Sequence, residues 1–283
     1  MNRKSVYIAM LCASCGVSDE ATLGETRQDV TSTNGISING ISINGTTLSA
    51  VETSGPPISG ARAIGSSWAA TATDGSAVKL RIDSALAGSA PNTDLWFYGV
   101  SYQTRAGWSP LCGLDAVNQP ILAVTVNGVW QATPADTAHY SASTTQFTFA
   151  CRGKTIAKCV ELGYKTYQGH TDQLTSCVRL LRGDFCGTGT PGTVDGTTLN
   201  LYDQVGVQAD TQPWAPEAEW TPSGARCINS NNDARYELVV ARDPRCVKAL
   251  KTATCGASFA DGAVLIDELP QGYVQTQTTS QTK

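Results

Sequence analysis

The sequence predicts a β-rich N-terminal sandwich or barrel followed by a disulfide-stapled α+β module, and three observations lead there. Of 283 residues, 41% are hydrophobic and only 16% charged. That composition is globular and excludes both a disordered acidic chain and a membrane bundle. Twenty-seven glycines with many Ser and Thr and only 7% aromatic residues favour short strands joined by turns. Ten cysteines lie mostly beyond residue 111, where a covalent framework would be needed. The net charge of -4, without a basic stripe, argues against nucleic acid as a partner.

Residues 1–14 read as a signal peptide. Arg3 and Lys4 form a positive start, Ser5 to Leu11 a mostly apolar run, and Cys12-Ala13-Ser14-Cys15 a small-residue end. The run is far below the ~20 residues that span a bilayer. Small residues before a cysteine resemble a bacterial lipobox, which makes Cys15 the lipidation site and an N-terminal lipid the membrane partner. Gly16 after it favours the outer membrane. A plain secretory leader is the alternative, which would leave the chain periplasmic or extracellular. Residues 15–58 form a polar tether holding a short pentapeptide-like repeat, Ile36-Ser37-Ile38-Asn39-Gly40 followed by Ile41-Ser42-Ile43-Asn44-Gly45. Two or three such units are too few to stack a solenoid core.

From 59 to 150 the pattern predicts a β-sandwich-like domain. Strands are expected at Ser67 to Thr73 and Ala77 to Ile82 around Asp74-Gly75, and at Leu95 to Tyr102. Ile121 to Val126 and Val129 to Ala132 form an expected hairpin about Asn127-Gly128, and Gln146 to Cys151 closes the set. From 151 to 268 the signals become mixed. Helices are expected at Thr155 to Leu162 and Asp172 to Arg182, the second capped by Thr171 or Asp172. Strands follow near Thr198 to Tyr202 and Glu217 to Trp220. Residues 269–283 read as a disordered tail.

Setting aside Cys12 and Cys15 leaves Cys112, Cys151, Cys159, Cys177, Cys186, Cys227, Cys246 and Cys255. An even count in an exported chain argues for four disulfides. Spacing leaves their connectivity open, with Cys246–Cys255 as a local loop and Cys112–Cys151 bracketing one sheet as the preferred guesses. A zinc site is not expected, since no CxxC follows Cys15 and only His139 and His170 are present. No cofactor is expected either.

Two runs carry a family resemblance. One extends from Cys151-Arg152-Gly153-Lys154-Thr155-Ile156-Ala157-Lys158-Cys159 to Lys165. The other is Cys177-Val178-Arg179-Leu180-Leu181-Arg182-Gly183-Asp184-Phe185-Cys186-Gly187. With Val194 to Thr197, Glu217 to Cys227, and Trp108 to Cys112, they resemble the ADYC domain, a family of bacterial exported proteins. Its namesake Ala-Asp-Tyr-Cys stands here as Gly183-Asp184-Phe185-Cys186, so Asp and Cys match. The resemblance implies an exported, lipoprotein-like setting and no defined activity.

Four constellations offer chemistry. Asp184 beside Cys186 reads as a catalytic carboxylate or as a partner for Arg179 or Arg182. Glu217 and Glu219 alternate, so a regular strand would put both on one face, near Trp214 and Trp220, as acid–base catalysis on a sugar requires. His170 with Asp172 offers a base and an orienting acid, but the sequence has no Gly-x-Ser-x-Gly nucleophile elbow. Asp195, Asp203 and Asp210 are candidate calcium-binding loop oxygens without EF-hand spacing. The leading expectation is therefore a non-enzymatic cell-envelope lipoprotein that binds an envelope or extracellular ligand or plays a structural part. The alternative is a secreted hydrolase acting on cell-wall glycans through paired carboxylates.

Overall fold

The computed structural model describes residues 47–49, 60–71, 77–131, 139–143, 146–193, 197–229, 235, 237, 240, 241, 243–250, 255, 256 and 258–270. The leader, Cys15, nearly all of the tether with its repeat, Asp195 and the tail from 271 lie outside them. Two compact units divide the chain, with the changeover between Arg152 and Gly153.

The first unit is one antiparallel seven-stranded sheet. Its strands are β1 (Thr47–Ser49), β2 (Ser67–Thr71), β3 (Ala77–Ala87), β4 (Trp96–Thr104), β5 (Gly107–Pro110), β6 (Ala123–Asn127) and, as the last strand of this sheet, β9 (Gln146–Cys151), with β7 (Val129–Gln131) and β8 (His139–Ser141) between them in the chain as a separate pair. The order is β3-β2-β1-β9-β6-β4-β5, and β3 also pairs with β4. The sheet therefore rolls back on itself, but through thin seams: β1 has three residues, and β4 meets β6 only at Phe97 and Tyr98. It is a strand-rich rolled sheet, as the sequence predicts, and not a full-length closed barrel.

Alternation explains the core. Val78, Leu80 and Ile82 of β3 are buried while Ala77 and Lys79 face out, the period-2 signature of a half-buried strand. They pack with Trp68, Tyr98, Val100 and Phe149. Edge-to-face contacts join Trp68 to Phe147 and Phe147 to Phe149, at centroid distances of 5.8 and 5.3 Å. Cys112–Cys151 closes this core from within. The expected hairpin about Asn127-Gly128 is corrected: β6 pairs with β4 and β9, and β7 pairs with β8. Gly128, at φ +88, bends the chain out of one ladder into another. A Cβ there would meet the Tyr140 ring at 2.5 Å and the Ser141 carbonyl oxygen at 2.7 Å, so the bend is also tightly covered.

The second unit is a four-stranded antiparallel sheet in the order β10-β13-β11-β12. Its strands are β10 (Asn200–Asp203), β11 (Ala215–Thr221), β12 (Gly224–Ile228) and β13 (Leu265–Leu269), with helices α1 (Thr155–Glu161), α2 (Thr171–Arg182) and α3 (Pro244–Leu250). Helix α2 packs on β11, β12 and β13, and α3 on β12. The N-cap of α2 is His170 and makes no side-chain capping bond, where Thr171 or Asp172 was expected. The helix ends at Gly183, which takes the left-handed conformation that closes a helix without a Cβ penalty. Three disulfides hold the unit: Cys159–Cys177 joins α1 to α2, Cys186–Cys246 joins the loop after α2 to α3, and Cys227–Cys255 joins β12 to the segment before β13. The Cys246–Cys255 guess is thus overturned. Cys246 lies on a helix that points its thiol to the loop after α2, and Cys255 reaches the strand end instead. The Cys112–Cys151 guess holds.

Candidate functional site

The namesake run sits where α2 meets the β11–β12 hairpin. Asp184 is fully buried and forms an ion pair with Arg179 one turn back. Both of its oxygens also accept from the Gly189 N–H at 3.0 Å. Arg182 reaches the Gly189 carbonyl, so Gly189 is held through both its N–H and its carbonyl. Phe185 is 1% exposed and lies against Trp220 at 4.8 Å. Its carbonyl accepts from the Ala225 N–H at 2.8 Å, covering the outer edge of β12 as an extra strand would. Cys186 carries the bridge to Cys246. At Gly187 a Cβ would stand 1.8 Å from the Ser223 carbonyl oxygen, so the loop and hairpin cross in backbone contact. Each residue of Asp184-Phe185-Cys186-Gly187 thus has a fold-holding task.

Glu217 and Glu219 do not form a pair. The β11–β13 register shifts between Pro216 and Ala218, and this bulge at Glu217 breaks the alternation that would have aligned them. Glu217 meets Arg235 at 3.3 Å; Glu219 meets Arg226 at 2.9 Å and accepts from the Gly256 N–H at 2.9 Å. Both carboxylates are buried. Trp220, expected near them, is 0% exposed and so presents no face to a sugar, and its indole N–H donates to Asp267 at 2.8 Å. Trp214 is half-buried.

Arg235 is the centre of this cluster. It is fully buried, meets Glu217 and Asp267 at 3.3 and 3.2 Å, and donates to the Leu180 carbonyl at 2.6 Å. Its guanidinium lies 5.3 Å from the Phe185 ring and 5.9 Å from Trp220, a cation–π arrangement in a desolvated setting. Sequence reasoning missed Arg235 and Asp267, which are far apart in the chain and carry no spacing signal.

His170 is half-buried at the start of α2 and Asp172 is exposed; neither meets the three buried carboxylates in any described contact. Asp203 accepts from the N–H groups of Val205, Val207 and Gln208 and from the Tyr164 hydroxyl, so it shapes its own loop. Asp210 belongs to a polar group that sequence reasoning also missed. One Asn200 amide nitrogen donates to Asp210 at 2.9 Å and to Glu268 at 3.0 Å. The Glu268 carboxyl is raised above its ordinary value, chiefly by burial and further by the Asp210 and Asp267 carboxylates, against the lowering hydrogen bonds of Asn200 and Tyr202. Among the described residues no His, Cys, Asp and Glu group of metal-binding form occurs.

On the first unit, Trp108 of β5 is half-buried, with the Arg81 guanidinium 4.5 Å and the Lys79 ammonium 6.0 Å from its ring. Asp83 pairs with Arg81 at 2.5 Å and accepts from the Ser101 hydroxyl. This is a mixed aromatic and charged strip on the outer face of the sheet.

Strand-rich units braced by four disulfides are the mark of an extracytoplasmic protein, and no described helix is long and apolar enough to cross a membrane. The ADYC domain model matches residues 60–234, which takes in the rolled sheet from β2 to its last strand and the α+β unit through β12. The chain belongs to the ADYC domain family. No curated protein and no solved structure matches it.

Proposed function

We propose that this chain is a non-enzymatic lipoprotein of the bacterial cell envelope, tethered through Cys15, whose folded part serves as a binding or structural module. One observation carries the non-enzymatic reading. Asp184, Glu217 and Glu219, the carboxylates best placed by sequence for acid–base work, are each buried against a separate arginine. A carboxylate buried in this way is engaged by its own arginine and is closed off from a substrate arriving from solvent. The leader-like residues 1–14 and the four disulfides support export, and the strip around Trp108 supplies a surface for contact.

Hydrolysis of wall glycans keeps one observation in its favour. Glu268 holds its proton more tightly than usual beside Asp210, as a general acid beside a carboxylate would. Purified protein incubated with peptidoglycan separates the two readings. Our reading expects no release of soluble fragments, together with sedimentation of the folded protein on envelope material that weakens in Trp108→Ala. Fragment release that disappears in Glu268→Gln, or in Glu217→Gln or Glu219→Gln with the far-UV spectrum unchanged, would overturn it. The anchor is tested by intact mass of protein from the membrane fraction: a chain starting at Cys15 with added acyl mass is expected.

A further inference from the structure

The chain between β12 and β13 is pinned at two places, and it delivers the buried Arg235. Cys227 on β12 joins Cys255 near its end, and Cys246 on α3 joins Cys186 in its middle. The four bridges differ in accessibility. Cys112, Cys151, Cys159, Cys177, Cys227 and Cys255 are at most 7% exposed, whereas Cys186 and Cys246 are both part-exposed. Thiol–disulfide exchange needs a thiolate to reach a sulfur, so exposure selects the bond that opens first. The same bond joins the Asp184–Phe185 turn, which forms the floor under Arg235, to the helix that follows Arg235 in the chain.

We propose that Cys186–Cys246 is a site of reversible thiol–disulfide exchange with a dithiol partner, and that its state sets how firmly the Arg235-bearing segment is held. One thiolate of the dithiol attacks one of the two sulfurs. The Cys186–Cys246 bond breaks, a mixed disulfide forms, and the other protein sulfur leaves as a thiolate. The second thiolate of the partner then attacks the mixed disulfide. The partner ends as an internal disulfide, having lost two electrons and its two protons, and Cys186 and Cys246 end as thiols. Cys227–Cys255 remains closed throughout, and Val247 keeps α3 seated by its one buried side chain. The segment is therefore loosened and not lost. Its exposed basic residues, Arg245 and Lys248, report the change.

The test titrates the oxidised full-length chain with dithiothreitol under native conditions, alkylates it, and maps the modified cysteines by mass spectrometry alongside limited trypsin digestion. Cys186 and Cys246 are expected to be alkylated at about tenfold lower reductant than the other six bridged cysteines. Cleavage after Arg245 and Lys248 is expected to quicken about tenfold in the same range, as local opening becomes easier, and to slow again on re-oxidation. A Cys186→Ala/Cys246→Ala variant should be cleaved at the fast rate with or without dithiothreitol. Opening of all four bridges together, opening of another bridge first, or selective reduction that leaves cleavage unchanged would each overturn the proposal.

Discussion

In the first unit Leu80, Ile82, Tyr98 and Phe149 meet one another across a rolled sheet, whereas the middle of the second holds Arg235 between Phe185 and Trp220 with Glu217 and Asp267 on its guanidinium. An apolar core is tolerant of shape as long as volume is kept. A buried charge cluster has no such latitude, because each member left alone is an uncompensated charge away from water. The second unit also carries three of the four bridges. The contrast explains why a unit with short helices and loop-rich connections needs covalent staples while the sheet manages with one.

The sharpest way to break this comparison uses the same incoming residue in both units. Arg235→Met strands Glu217 and Asp267 and is expected to cost about 3–5 kcal/mol, while Leu80→Met keeps volume and is expected to cost under about 1.5 kcal/mol. Chemical denaturation of the two variants measures both, and equal costs would erase the distinction. Glycines give a second, smaller contrast. Gly187→Ala drives a Cβ against the Ser223 carbonyl at φ +66, for an expected loss of about 2–3 kcal/mol. Gly113→Ala, at φ +75 with open space around it, carries only the left-handed strain of about 1 kcal/mol. Thermal melts of the pair should rank in that order.

The smallest effect depends on pH. Glu268 has its folded value raised above the ordinary 4.5, so its neutral form is the one the fold favours. That contribution is full below the unfolded value and is lost as pH rises through the folded one. Glu268→Gln, which fixes a neutral side chain, should therefore gain stability relative to the parent at pH 7 and lose that advantage on acidification below about 4. A difference that grows on acidification would show that the carboxylate, and not the acid, is the form the fold prefers.

Much of the first unit was legible because burial there follows a period of two. Val78, Leu80 and Ile82 alternate in the sequence as they do in the sheet, and Gln146–Cys151 matches the expected last strand. The misread hairpin at Asn127-Gly128 shows the limit: a turn dipeptide fixes a local bend, and long-range pairing decides where the chain goes next. In the second unit β13 escaped notice because Leu265-Ile266-Asp267-Glu268-Leu269 reads as half acidic, although all five residues are buried. Its acids are admissible only because Arg235, Trp220 and Asn200 arrive from elsewhere. Arg179 was legible as a partner for Asp184, being one turn back on the same helix, whereas the arginines that meet Glu217 and Glu219 are tertiary facts. Alternation predicted a shared face for Glu217 and Glu219, and a single bulge removed it.

The order of the bridges along the chain has a consequence for biogenesis. Cys112–Cys151 and Cys159–Cys177 each close before the next cysteine in the chain is needed, but Cys186–Cys246 and Cys227–Cys255 interlock. As the polypeptide emerges N-terminus first, Cys227 becomes available to Cys186 before Cys246 does. The native pairing therefore requires that Cys186 wait for Cys246 or that an earlier bond be exchanged, so refolding of the reduced chain is expected to give more native protein with an isomerase than with an oxidant alone.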